Sequence, residues 1–255
     1  MFRTLNRVYA PVLRKLFRIS DEGCYAVLLG YLCGFPMGAK VIADLVREHH
    51  ISAEEGTYLL GFCNNVSPAF FLNYVCLMKL GCSSVPWKLV LLFYALPLLY
   101  GFFTRPFYQF SDIGAKKQAP THRLDFPMLD ACIMDGFSTI TRLGGYIMLF
   151  TIFTQFLKLL PLSASLLAFL SAVLEISCGI DQIAALSVLS PVHRTAFICA
   201  CTAFGGLCIY AQTQSVLSGT PLSIQSWLKG RIVTALLVFL LVMSPAVAPV
   251  LRGCW

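Results

Sequence analysis

The stretch GYLCGFPMGAK, Gly30 to Lys40, interrupts the first strongly apolar segment of the chain. A helix that crosses a bilayer needs about 20 consecutive apolar residues. Residues 22–33 and 37–48 flank the break, and each is too short to cross alone. Pro36 suits the first turn of a helix because its missing N–H is unpaired there anyway. Gly34 and Gly38 allow close backbone approach. Two short pieces joined this way predict a re-entrant hairpin that enters and leaves the membrane on one side. The alternative is a single kinked spanning helix.

Composition supports membrane depth for that break. The 255 residues are 58% hydrophobic and 12% charged, with a mean hydropathy of +0.76. Soluble domains carry about 25% charged residues. The chain is therefore expected to be an all-α, multi-pass integral membrane protein with the lipid bilayer as its surroundings. Its net charge of +7 sits in the gaps between apolar runs, as in membrane loops, and forms no patch with aromatics, so nucleic acid is not an expected partner. The 11 cysteines include no C-x-x-C and no metal-ligand spacing with histidine. They read as small hydrophobes for helix packing, and no cofactor is expected. The N-terminal residues carry no apolar core before a cleavage site, so no cleavable signal peptide is read. Residues 1–20 alternate apolar and basic with helical period, which predicts an amphipathic helix lying on an anionic leaflet.

Further along, residues 57–78 and 85–104 can each span, although the first carries Asn64, Asn65, Ser67 and Pro68 at its centre. Residues 106–124 form a polar linker; 126–141 look amphipathic and 143–160 span. Residues 163–190 repeat the short–break–short pattern, with the break in LEISCGID; 195–217 and 227–250 span. The chain thus divides into a first repeat over 21–105 and a second over 125–255. Each has a broken hairpin, a spanning helix with polar residues in it, and a plain spanning helix. Three crossings between the hairpins, an odd number, invert the second repeat. Paired interrupted segments in inverted halves point to a transport site near the bilayer midplane. With the N-terminus inside, 14 of the 19 lysines and arginines fall on the inner side, in accord with the positive-inside rule.

Backbone broken at membrane depth must face protein or water. In the first hairpin, Gly34, Pro36 and Gly38 would expose half-helix N–H groups to a carboxylate. Lys40 would either add a full charge or snorkel to the inner interface. In the second, Glu175 is an intramembrane carboxylate, expensive and by default functional. It would bind a coupling cation, pair with Lys40, or cap a helix, while Ser177 and Gly179 would form the hairpin tip. Asn64, Asn65, Ser67 and Pro68, with Gly205, Gly206, Gln212 and Gln214 in the corresponding helix, would line a polar cavity; interhelical hydrogen bonding is the plainer role for such amides. His49, His50, His122 and His193 lie at edges or in loops, and no nucleophile, phosphate-loop or metal motif is present, so enzyme activity is not expected.

GYLCGFPMGAKVIADL and ISAEEGTYLLGFCNNVSPAFF, followed by GGYIMLF, LEISCGI and FGGLCIYAQTQSVL, resemble the sporulation integral membrane protein YlbJ family, also called stage V sporulation protein V. The likeness extends over about residues 7–240. It implies a nucleoside-recognition Gate domain with an architecture like that of concentrative nucleoside transporters: inverted repeats, each with a re-entrant hairpin. It also implies transport of dipicolinic acid across the outer forespore membrane of a sporulating cell, and it places the site at Gly34, Pro36, Gly38, Lys40, Asn64, Ser67, Pro68, Glu175, Gly179, Gln212 and Gln214. Half-helix N-termini with Lys40 would meet the two carboxylates of this planar dianion, and Phe35, Phe62 or Phe70 would line its ring. Nucleoside transport and a non-transporting scaffold for spore maturation are the alternatives. Two departures stand out. Family members typically carry further N-terminal spanning helices, whose place oligomer contacts would take here, and Val66-Ser67-Pro68 replaces the usual Ser-Gly-Pro.

Overall fold

The computed structural model describes residues 2–110 and 125–245, and all regular structure among them is helical. Helix α1 (Phe2–Phe17) is followed by α2 (Asp21–Cys33) and α3 (Met37–Arg47), the two short pieces around the opening break. Gly34 has φ +83°, a conformation that other residues reach only with strain. Pro36 stands at the N-cap of α3. A Cβ on Gly30 would lie 2.1 Å from the Cys63 carbonyl oxygen, and one on Gly38 would lie 3.0 Å from the Gly30 Cα. The two glycines therefore let α2, α3 and the end of α4 (Ala53–Cys63) cross in backbone contact.

The expected span 57–78 is divided. Helix α4 stops at Cys63, residues 64–67 are non-helical, and a π-helix runs from Phe70 to Lys79, ending in an i→i+5 bond from Leu80 N–H to Val75 C=O. Asn64 and Asn65 put side chains that compete for backbone partners directly before Pro68, which has no N–H to continue a ladder. The Ser67 hydroxyl accepts from Phe70 N–H across the gap. Helix α5 (Trp87–Thr104) is the plain span of this repeat.

The linker at 106–124 lies mostly outside the described residues; only a 3-10 turn, Arg105–Phe107, and the residues up to Phe110 are seen. The amphipathic piece and the span expected at 126–141 and 143–160 are one helix, α6 (Phe126–Leu157). Asp125 caps it and Pro127 stands in its first turn. Gly144 and Gly145 do not break it, because nothing presses on that side of the helix.

In the second repeat, α7 (Ala164–Leu174) and α8 (Ile176–Ala185) are separated by a single residue, Glu175. The break is therefore confined to Glu175, at the start of the stretch LEISCGID, and Ser177 and Gly179 are in α8 rather than at the tip. Gly179 serves the crossing instead: a Cβ there would lie 2.0 Å from the Ala172 Cα. Helix α9 (Pro191–Phe204) ends at Gly205 with φ +89°, Gly206 follows with φ +80°, and α10 (Gly206–Leu217) resumes the path. Helix α11 (Ile224–Met243) comes last; the part of the expected 227–250 span beyond residue 245 lies outside the described residues.

Four helical stretches, 87–107, 126–157, 191–217 and 224–243, are long and apolar enough to cross a membrane, and the chain is a multi-pass integral membrane protein. Besides packing on their own neighbours α4 and α9, the short helices α3 and α8 reach across the chain. Helix α3 packs on α10, and α8 packs on the π-helix, so each hairpin meets the far segment of the other repeat's broken helix. Helix α11 lies against α4, α5 and α9. Arg47 donates to the Val216 and Ser218 carbonyls, Arg105 to the Phe17 and Tyr108 carbonyls, and Tyr108 meets Ser226. Arg194 donates to the Leu186 and Leu189 carbonyls.

Candidate functional site

Four interruptions of helical backbone converge. A Cβ on Gly34 would lie 2.6 Å from Ser67 N, which seats the first hairpin turn on the gap after α4. The Phe35 ring reaches the other broken helix, 3.4 Å from the Cβ position of Gly205. A Cβ on Gly206 would lie 3.2–3.4 Å from the carbonyl oxygens of Ala172, Val173 and Leu174, at the C-terminal end of α7. Glycine at 34, 205 and 206 is what allows these approaches, since a side chain at any of them meets backbone or an aromatic ring.

The amides do not all face an open space. Asn64 and Asn65 are 0% and 1% exposed. Asn64 Oδ1 accepts from Ala39 N–H, and Asn64 Nδ2 donates to Thr213 Oγ1, tying α3, the gap and α10 together. The amides expected to be free at the start of α3 therefore already have a protein acceptor at Ala39. Asn65 Nδ2 donates to the Phe62 carbonyl. Gln212 is buried, with its Nε2 3.2 Å from Cys208 Sγ. Gln214 is exposed and lines a groove of about 520 Å³ between α6 and α10, together with Arg142, Tyr146, Tyr210 and Ser215. Gln212 and Gln214 thus belong to different surroundings, because residues two apart on a helix point to different faces.

The charges differ most from expectation. Lys40 Nζ lies 2.9 Å from Asp44 Oδ2 and 2.9 Å from Asp135 Oδ2 of α6. It is neither free for a ligand nor snorkelling alone; it holds α3 to α6. Glu175, 3% exposed, accepts from Cys178 N–H at 2.8 Å and caps α8. It makes no ion pair with Lys40, and its carboxylate occupies the helix N-terminus that a ligand carboxylate was expected to use. The Ser177 carbonyl accepts from Tyr74, which also donates to Asp181. Of the three rings expected to line a ligand, Phe62 stacks on Phe17 in the core and Phe70 packs on Tyr74, which leaves Phe35 at the convergence.

One residue was not foreseen. Arg231 was counted among inner loop charges, yet its side chain is 1% exposed within α11, and its Nη1 donates to Asn65 Oδ1 at 2.6 Å. The signal was present: an arginine between Gly230 and a long apolar run. Gly230 brings it inward, because a Cβ there would lie 1.9 Å from the Gly61 carbonyl oxygen, so α11 and α4 cross in contact.

No protein-family model matches the chain, and no solved structure does. Among curated proteins it is similar to the sporulation integral membrane protein YlbJ of Bacillus subtilis strain 168, 24% identical over 284 residues, covering 94% of this chain and 68% of that protein. The similarity spans nearly the whole chain and bears out the resemblance carried by its broken-helix motifs.

Proposed function

We propose that this relative of YlbJ is a secondary transporter of a small organic anion, dipicolinate, acting during sporulation and not as an enzyme. The observation that carries the reading is the meeting of four helix breaks, at Gly34, Asn64–Ser67, Glu175 and Gly205–Gly206. Such backbone has no use for lipid, and the cost of orphaned groups there is several kcal/mol, about 2–7 each. In this reading α2–α3 and α7–α8 are re-entrant hairpins of two inverted, Gate-type halves, and the reach of α3 and α8 across the chain supports it. Alternating access would rock one half against the other around the breaks. The N-terminus is cytoplasmic and the membrane is the outer forespore membrane. The reading needs no cofactor other than a coupling cation.

Uptake of labelled dipicolinate into vesicles carrying the purified protein tests this. Uptake above empty vesicles, dependent on an imposed sodium or proton gradient, is the expected result and identifies the coupling ion. Uptake of a nucleoside in its place would move the substrate class. No uptake of either would leave the scaffold role.

A further inference from the structure

Arg231 is a permanent cation, since arginine keeps its proton at any ordinary pH. It sits in a helix apolar enough to span, and no ion pair involves it among the described residues. The titratable groups that act on it are Tyr31, Cys63 and Tyr100, and no carboxylate is among them. Only Nη1 is used, by Asn65. Nε and Nη2 are buried and have no acceptor among the described residues. These two atoms form one edge of the guanidinium, where two N–H bonds point in parallel. That fork matches the two oxygens of a carboxylate. Trp227 Nε1 is also buried with no hydrogen-bond partner among the described residues, and the buried Tyr31 hydroxyl stands beside the Asn65 side chain. Trp227 is one turn before Arg231 on α11, so it shares a face with it. What the surroundings lack is an acceptor carrying negative charge. A buried charge left this way is strongly unfavourable unless a partner arrives.

We propose that the open edge of Arg231 is a carboxylate-binding site, with the Tyr31 hydroxyl and Trp227 indole as further donors. Asn65 holds the guanidinium in orientation by occupying its other side. Rings complete the surroundings: Tyr94 is 6.2 Å from Tyr31, and Phe35, at the first hairpin turn, is 6.2 Å edge-on to Trp227. A flat aromatic acid fits that chemistry better than an aliphatic one. Tyr210, 6.2 Å from Trp227, also lines the groove between α6 and α10, which places that groove next to the site. The choice of an aromatic dicarboxylate as ligand rests on the transport reading above; the need for a carboxylate does not.

The test uses the full chain in detergent, titrated with pyridine-2,6-dicarboxylate and separately with uncharged pyridine-2,6-dicarboxamide, with thermal stability as the readout. The dicarboxylate is expected to stabilise the protein and the diamide is not. Arg231→Lys keeps the charge but loses the fork, and is expected to weaken dicarboxylate binding about tenfold or more. Equal stabilisation by the diamide, no response to the dicarboxylate, or an unchanged affinity in Arg231→Lys overturns the site. Should that variant not fold, Tyr31→Phe and Trp227→Phe decide, and unchanged affinity in both overturns it. Binding without vesicle uptake would remove the transport reading and keep the site. Uptake with affinity indifferent to Arg231→Lys would do the reverse.

Discussion

Asn64 does by side chain what a continuous helix would do by backbone. It accepts from Ala39 N–H and donates to Thr213 Oγ1, and it is fully buried. Asn64→Ala would orphan the Ala39 N–H and take the partner from Thr213. Each unsatisfied buried group costs about 1–3 kcal/mol. The expected outcome is a lowered unfolding temperature in detergent. Asn64→Asp, which keeps the acceptor for Ala39, should recover part of the loss if its charge is tolerated. An unfolding temperature for Asn64→Ala equal to that of the parent would show that the bridge does not hold α3. Lys40 teaches the complementary lesson. A lysine after a helix break was legible as important, but not its partners. Asp44 follows one turn later and was in plain view; Asp135 lies 95 positions on, and only folding brings it near. Arg231 lies four residues inside the apolar run 227–250, and only the packing of α11 on α4 shows that it is buried against Asn65.

Elements were legible where their signals were local. Gly34 with Pro36 marks its break in the sequence itself, and it is a break in the structure; Gly205 and Gly206 divide the stretch 195–217, which reads from hydropathy as one span. The gap after Cys63 was visible as a polar centre but was read as part of one span, because hydropathy averages over a gap of a few residues. Helix α6 was divided in two for the opposite reason: its first turns are polar enough to resemble a separate piece, yet no stop signal lies between. The reach of α3 and α8 across the chain is long-range packing, and no local pattern encodes it. Glycines separate these roles sharply. Gly179→Ala drives a methyl into the Ala172 backbone at 2.0 Å. Overpacking of this kind costs about 1–3 kcal/mol, and more where backbone must move. Gly144→Ala meets nothing within 4 Å and removes a poor helix former, a change of up to about 1 kcal/mol in the stabilising direction. Size-exclusion profiles and melting curves should show loss of folded protein for Gly179→Ala and none for Gly144→Ala. Equal behaviour would mean that α7 and α8 do not cross as described.

At the scale of the molecule, the inverted arrangement proposed above commits each loop to a side. The cytoplasmic side should hold the α3–α4 turn and the α10–α11 turn, which Arg47 already joins through the Val216 and Ser218 carbonyls. The opposite side should hold the turn after α6 and the turn between α8 and α9. Four exposed positions report on these turns: Glu48 and Ser218 on the first side, Leu159 and Val188 on the second. In a background stripped of the natural cysteines, a single cysteine is placed at each. A thiol reagent that cannot cross the membrane is then applied to intact, non-sporulating cells that carry the protein in their plasma membrane. Val188→Cys and Leu159→Cys should react at once. Glu48→Cys and Ser218→Cys should react only after permeabilisation. In the re-entrant reading α2–α3 and α7–α8 each return to the side they left, so the pair Glu48 and Val188 carries the decisive comparison. Two hairpins of the same orientation would label together, and inverted hairpins cannot. If both positions react in intact cells, the halves are parallel, the breaks no longer form an inverted pair at the midplane, and alternating access around them loses its geometric basis.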